Sequence, residues 1–259
     1  MFKTRRKLLS QNFLRDRELV KRLIRASGIS CQDSVLEIGA GSGNITEALV
    51  SVSKRVTAVE IDKELFAHLS YRLRNNKALE LVCGNFLDLD LPKEPYKVFS
   101  NIPFSITGEI VKKLLFSDNP PESSNLIVQK EAAGKFMINK RKNSMLSILF
   151  FPWFEFKISH IFNRTDFTPI PSVELCLLQI IRRSQPLIPN ESLSKFRDLV
   201  VFKFTKCRTA GEWSQTKWLA LCTENVHCRK SFLKWQKEES KLKKIHRTRI
   251  DRNWRKSWK

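Results

Sequence analysis

No apolar stretch in this chain reaches the length needed to cross a bilayer, and its basic N-terminus is not followed by an apolar core. Neither a membrane anchor nor a signal peptide is therefore expected. Cysteine is present but unorganised: Cys31, Cys83, Cys176, Cys207, Cys222 and Cys228 form no C-x-x-C pair and no paired His/Cys spacing. Cys222, His227 and Cys228 are open to metal binding, but incidental thiols in a reducing, cytoplasmic setting are the simpler reading, and no metal is expected. No internal repeat is visible. Acidic residues are scarce as well, with 26 Asp and Glu against 47 Lys and Arg and a formal net charge of +21. That excess goes beyond what solubility requires, and it attracts a polyanion. RNA, DNA and anionic lipid all qualify; with no amphipathic anchor in sight, nucleic acid leads.

What the chain does have is Glu37-Ile38-Gly39-Ala40-Gly41-Ser42-Gly43. Ser34-Val35-Leu36 before it reads as the end of a short buried strand. Asn44 to Val50 after it carries apolar residues at helical spacing, with Asn44 in position to cap the helix. A glycine-rich turn between strand and helix lets a ligand lie against bare backbone. The acid-led form E-x-G-x-G-x-G differs from the nicotinamide fingerprint G-x-G-x-x-G. A second strand, Val56 to Glu60, ends in a carboxylate at a spacing suited to a ribose diol. Three glycines alone would also fit an ordinary tight turn.

At 259 residues the chain can bury a full α/β core plus a smaller second unit. Residues 1–9 form a basic arm, and a helix is expected from about Asp16. Strands are expected over Asp33–Ile38, Arg55–Glu60, Leu79–Cys83, Lys97–Ser100, Asn125–Gln129, Trp153–Ile158 and Val173–Ile181. Helices are expected from Asn44, from Lys63, over Thr107–Phe116 and over Lys130–Met137. Strands alternating with helices imply a parallel sheet covered on both faces, with the ligand-binding loops along one edge. The Gly39–Gly43 loop, Glu60, Gly84-Asn85 and Asn101 all follow strands and should meet there. A composition shift at Ser184-Gln185-Pro186 places a domain boundary, giving a catalytic domain over 10–183, a small domain over 184–228 and a basic tail over 229–259. The tail holds thirteen Lys and Arg against Glu238, Glu239 and Asp251, with interspersed Trp. It suits RNA phosphates and unstacked bases, or else serves as a solubilising extension.

Asn101-Ile102-Pro103-Phe104 follows the fourth of these strands, and its chemistry can be argued directly. An exocyclic adenine amine is a poor nucleophile because its lone pair is delocalised into the ring. An Asn side-chain oxygen and a backbone carbonyl would accept its two N–H hydrogens, so the nitrogen pyramidalises and its lone pair can reach an electrophilic methyl. Pro103 fixes the backbone and brings no competing N–H. Phe104 would stack on the base, which must leave its helix to reach the pocket. The motif alone would equally fit a strand-ending turn with a buried Phe.

Taken in order, Gln11-Asn12-Phe13-Leu14, the Glu37–Gly43 loop, Glu60-Ile61-Asp62, Gly84-Asn85-Phe86, Asn101-Ile102-Pro103-Phe104 and Phe167-Thr168-Pro169-Ile170-Pro171 resemble the ribosomal RNA adenine-N6 dimethyltransferases. N-I-P-F resembles the erythromycin-resistance (Erm) 23S branch. The resemblance implies a Rossmann-like class I methyltransferase sheet dependent on S-adenosyl-L-methionine (SAM), and a small helical C-terminal domain that binds RNA. It implies one adenine of 23S rRNA as target, resistance to macrolides, lincosamides and streptogramin B, and a monomeric enzyme. Gln11, Asn12 and Leu14 would hold the methionine and ribose side of SAM. Gly39 and Gly41 would admit it to the backbone, Glu60 would bind its ribose hydroxyls and Ile61 its adenine ring. Asn101 would serve both cofactor and target, Ile102 and Pro103 would complete the motif, and Phe104 and Phe167 would sandwich the target base, unless Phe167 is core. Asn85 stands where the family usually has Asp, so it would accept from the cofactor's adenine amine without charge assistance. Cys207 to Lys259 does not align with the helical domain. The small-subunit rRNA dimethyltransferase of ribosome assembly and a non-catalytic RNA-binding factor on the same fold are the alternatives.

Overall fold

The computed structural model describes residues 12–221, 231–239 and 241. The basic arm, Gln11, the Cys222/His227/Cys228 grouping and most of the tail lie outside the described residues. The chain divides into two compact units, one taking in the chain up to Met137 with Phe154–Ser184, the other Ile138–Trp153 with the chain from Gln185.

In the first unit, β1 (Phe13–Leu14) leads into α1 (Arg17–Ala26), whose start is capped by Asp16 accepting from the Glu18 and Leu19 amides. Then follow β2 (Ser34–Ile38), α2 (Asn44–Val50), β3 (Arg55–Glu60), α3 (Lys63–Leu73), β4 (Leu79–Cys83), β5 (Lys97–Asn101), α4 (Thr107–Leu115), β6 (Ser123–Gln129) and α5 (Lys130–Gly134). After the second unit's first segment, β7 (Phe154–Ile161), β8 (Phe167–Thr168) and β9 (Leu175–Arg182) complete it. Seven strands form one sheet in the order β4-β3-β2-β5-β6-β9-β7, with β2 to β6 parallel and β9 antiparallel to both neighbours. From β2 the chain winds outward through β3 to β4, then returns to the other side of β2 with β5. The order therefore reverses between β2 and β5, the point where doubly wound sheets open a crevice at their strand ends. Val56, Ala58, Val98, Phe99, Leu126, Ile127 and Leu178 are wholly or almost wholly buried along these strands, as near-continuous apolar runs in a sheet covered on both faces require.

The expected strands are all present, their ends within three residues of those expected, and the helix expected over Lys130–Met137 ends at Gly134. Two further features differ. Asn44 does not cap α2; that place belongs to Gly43 in the left-handed region, and the Asn44 side-chain Nδ2 instead donates to the Leu14 carbonyl at 2.9 Å. A two-stranded ribbon, β1 with β8, is also present, pairing Phe13 with Thr168 and Leu14 with Phe167. Two residues per strand are too few for a periodicity to register.

The second unit is helical. It contains α6 (Met145–Phe150), α7 (Leu193–Lys206), α8 (Gln215–Ala220) and a further helix over 231–239. Phe196 packs edge-on to Phe151 and Trp153, and the fully buried Trp218 stacks on Phe204 with ring centroids 5.6 Å apart. Ile138–Trp153, which the composition shift at Ser184 assigns to the first domain, groups with this unit because its apolar residues meet α7. Within it the Asn143 amide donates to the Gly211 carbonyl at 2.6 Å, and a Cβ on Gly211 would lie 2.6 Å from the Asn143 carbonyl oxygen.

Candidate active site

The loop after β2 turns through three left-handed glycines, Gly39 (φ 80°), Gly41 (φ 56°) and Gly43 (φ 81°), which other residues adopt only at a cost. The Gly39 and Ala40 amides both donate to the Val59 carbonyl, at 2.8 and 3.1 Å, and fold the loop onto the end of β3. There the buried Glu60 carboxylate accepts from the Gly41 amide through Oε2 at 2.7 Å and from the Asp62 amide through Oε1 at 2.8 Å. Asp62 in turn caps α3. The far side of the loop is held by Arg72, which donates to the Ser42 carbonyl at 2.7 Å and pairs with Glu47 at 3.0 Å, while Arg17 reaches the other Glu47 oxygen at 3.3 Å. The Gly39 and Gly41 amides, which the turn strips of ladder partners, are thus given others.

Across the switch point, Ser100 Oγ accepts from the Ile38 amide at 3.1 Å and donates to the Ile38 carbonyl, joining the ends of β2 and β5. Asn101 comes next. Its Nδ2 donates to the Asn12 carbonyl at 2.6 Å, which commits the amide nitrogen and reserves Oδ1 as an acceptor. A Cβ on Gly39 would lie 3.8 Å from Pro103 Cδ and 3.9 Å from the Asn101 carbonyl oxygen, so the glycine loop and the Asn-Ile-Pro-Phe turn are in contact. Phe13 closes the other flank: a Cβ on Gly41 would stand 2.8 Å from its Cε1. Asn12, Phe13, the glycine loop, Glu60, Asn101 and Pro103 therefore converge at one crevice.

The remaining expected residues are placed differently from one another. Ile61, 52 % exposed beside the buried Glu60, and the half-buried Phe104 present apolar faces at this edge. Leu14 and Ile102 are core residues that position their neighbours, Leu14 through its carbonyl on Asn44. Asn85 caps the turn Phe86–Asp88, its Oδ1 accepting from the Leu87 amide at 3.2 Å and its Nδ2 donating to Asp88 Oδ2 at 2.7 Å. Phe167 is fully buried, edge-on to Phe162 with ring centroids 5.2 Å apart, and so occupies the core behind the β1–β8 ribbon rather than a pocket wall. Sequence reasoning missed Ser100, Asn44, Arg72 and Glu47, whose partners lie far along the chain and leave no local pattern.

Glu37 carries a further property. Burial pushes its carboxyl up to about 8; the Thr46 hydroxyl offsets part of this, and the Glu60 charge adds to it. Its Oε2 has no hydrogen-bond partner among the described residues. Among the described residues, no group of three or more His, Cys, Asp or Glu is arranged to hold a metal ion, and no helix is long and apolar enough to cross a membrane.

The donor set fits an adenosyl group. A cradle at Gly39 and Gly41 that side chains would fill adjoins a buried carboxylate, with an exposed Ile next to it as an apolar face. Residues 1–210 match the family described as ribosomal RNA adenine dimethylase. The chain belongs to that family. The dimethylase match takes in the whole crevice and reaches into the helical unit. The chain is 37 % identical over 201 residues to an rRNA methyltransferase of Streptomyces thermotolerans, covering 78 % of this chain and 67 % of that protein. It is 34 % identical over 192 residues to the mycinamicin-resistance protein MyrB of Micromonospora griseorubida, covering 74 % and 60 %. The matched region thus spans about three-fifths to two-thirds of these curated relatives. The crystal structure of the 23S rRNA methyltransferase ErmE superposes with a TM-score of 0.69 at 30 % identity, covering 75 % of this chain and 80 % of that one. The fold is that of the class I SAM-dependent methyltransferases.

Proposed function

We propose that this chain methylates the N6 amine of an adenine in 23S rRNA, with SAM as donor, and so confers resistance to macrolides, lincosamides and streptogramin B. The observation that carries the proposal is the meeting of Asn101, Pro103 and the glycine loop at the switch point, with the Asn101 amide already spent on Asn12. The names of the resistance protein MyrB and of ErmE support the 23S branch. SAM supplies an electrophilic methyl group carried on a sulfonium.

The protein's part is positioning. Glu60 would take the ribose hydroxyls on the carboxylate that the Gly41 and Asp62 amides orient, and Ile61 would cover the cofactor's adenine. Asn12 and Asn101 would line the methionine side, with Gln11 preceding them. Asn101 Oδ1 would accept one hydrogen of the target amine and turn its lone pair toward the methyl. Pro103 adds no N–H to compete, and Phe104 stacks on the base. Phe167, from the core, would back that stack rather than complete a sandwich. The product ammonium loses its proton to water, so the acceleration rests on orientation and electrostatics rather than on a tuned general base. The net charge of +21 supplies the long-range attraction to the RNA.

The test is transfer of labelled methyl from SAM to protein-free 23S rRNA and to a 30S assembly intermediate, alongside drug susceptibility of a sensitive host expressing the chain. Labelling of 23S rRNA at one adenine, with resistance lost in Asn101→Ala, is the expected outcome. Labelling of the 30S intermediate alone would transfer the activity to the small-subunit branch.

A further inference from the structure

Exposed large apolar side chains are few among the described residues, and three of them, Ile161 (54 %), Ile170 (60 %) and Val173 (37 %), lie on or beside the connection between β7 and β9. That connection sits on the catalytic edge of the sheet. Leu175, at the start of β9, pairs with Gln129, the last residue of β6, and Ile161 ends β7 opposite Cys176. The β8 part of the connection pairs with β1, placing Thr168 opposite Phe13, the residue packed on Gly41. Ile170 follows two residues later, within about 7 Å of Thr168 at the reach of an extended chain. It is the exposed tip beside the crevice.

The tip is held firmly. Pro169 and Pro171 flank Ile170 and fix their own φ angles. Arg164 Nε donates to the Pro171 carbonyl at 2.7 Å, the Arg15 amide donates to the Asp166 carbonyl at 2.8 Å, and the Asn163 amide donates to Asp166 Oδ2 at 2.8 Å. Isoleucine adds a β-branched side chain with one strongly restricted torsion. A stiff apolar side chain kept in water on a braced turn contributes nothing to the core. Tyr71, also exposed, differs in having Arg74 over its ring at 4.5 Å.

We propose that Ile170 is a wedge that enters the rRNA base stack beside the target adenine and fills the gap left when that base swings into the crevice. The proposal rests on the rRNA adenine reading above. Removing a base from its stack costs a few kcal/mol, and an apolar side chain inserted between base steps recovers part of that cost. Ile170 is thus a positioning residue: it acts on the neighbouring bases and leaves the amine to Asn101. Asp166 and Glu174 lie on the same connection, but Asp166 is occupied by Asn163 and Glu174 by Lys130 at 3.1 Å, so the apolar tip is what meets the stack.

The experiment uses two RNA hairpins of the 23S target region, one with the target adenine stacked in its helix and one with it displaced in a bulge, each also made with 2-aminopurine at the target. Ile170→Ala is expected to lower kcat on the stacked RNA by about tenfold or more and to diminish the 2-aminopurine fluorescence rise on binding. On the bulged RNA its activity should stay within about twofold of the parent, as for an exposed substitution away from the chemistry. Ile170→Leu should restore both readouts. Equal loss on the two RNAs, or full fluorescence and activity in Ile170→Ala, overturns the wedge. The fluorescence rise needs no turnover. A parent protein that shows an Ile170-dependent rise but labels neither RNA would therefore sink the proposed activity and leave the wedge standing.

Discussion

The Asn101 amide nitrogen lies 2.6 Å from the Asn12 carbonyl and joins the end of β5 to a segment 89 residues earlier. One side chain thus fixes its own rotamer and anchors the approach to the ribbon strand β1. The two roles separate by substitution. Asn101→Ala removes the acceptor for the target amine and is expected to reduce kcat by about 10²- to 10³-fold, the cost of one preorganised transition-state partner. SAM affinity should fall only by about tenfold or less, because the glycine loop and Glu60 are held by bonds of their own. Equilibrium binding and single-turnover methylation measured side by side give both quantities. Equal losses in the two would show that Asn101 serves the cofactor and not the base.

Gly41 and Phe13 form a second long-range pair. At Gly41→Ala the left-handed backbone costs about 1–2 kcal/mol, and the new Cβ, 2.8 Å from the Phe13 ring, forces that ring outward. The variant is expected to lose SAM affinity along with stability. Phe13→Ala in the same chain relieves the collision but not the backbone strain. A double-mutant cycle in chemical denaturation should therefore show a coupling of about 0.5–3 kcal/mol. Additive effects would mean that the loop yields to the new methyl at no cost to Phe13.

The sheet and the crevice were legible because their determinants are local: apolar runs, acid-led glycines, a carboxylate ending a strand, and Asn-Ile-Pro-Phe after another. Phe167 shows the limit. Its motif indicates a wall of the site, yet the ring is wholly buried against Phe162, and burial is set by packing that a motif does not encode. The helical unit was obscured for a related reason. In α7 the run Val200-Val201-Phe202-Lys203-Phe204 mixes β-branched residues with a strand-like alternation, and burial of Phe196, Leu199, Val200 and Val201 in the helical unit, rather than a clean periodicity, resolves it as helix.

Asn85 is paired with Asp88 at the position where the family resemblance would place an Asp. With Asp88 Oδ2 at 2.7 Å from Asn85 Nδ2, a second carboxylate at the first position would replace a hydrogen bond by a like-charge contact. Asn85→Asp alone is expected to destabilise the turn after β4 and to leave SAM binding no tighter. Combined with Asp88→Asn, the same change recovers the bond with its polarity reversed and leaves a charged acceptor for the cofactor's adenine amine. Calorimetry should then show affinity raised by about tenfold, roughly the advantage of an ionised over a neutral acceptor. If the single variant tightens binding as much as the pair, Asp88 has no part in it.

Glu37 makes stability depend on pH in a definite direction. Its carboxyl, ordinarily near 4.5, is carried to about 8 in the folded chain, chiefly by burial, with Glu60 adding to the shift. Between those values the folded state holds a proton that the unfolded state has released. The contribution is whole below pH 4.5, declines as pH rises and is spent above 8, with a limiting slope of about 1.4 kcal/mol per pH unit. Glu37→Gln keeps the shape and removes the titration. Denaturant unfolding from pH 5 to 9 should show parent and variant converging at the acid end, with the variant gaining steadily toward pH 8. Subtracting the two profiles cancels Asp33, whose carboxyl burial would raise but which hydrogen bonds from Lys97 and Ser30 hold below its usual value. Parallel profiles would mean that the folded chain already carries Glu37 charged at neutral pH, and would overturn the shift.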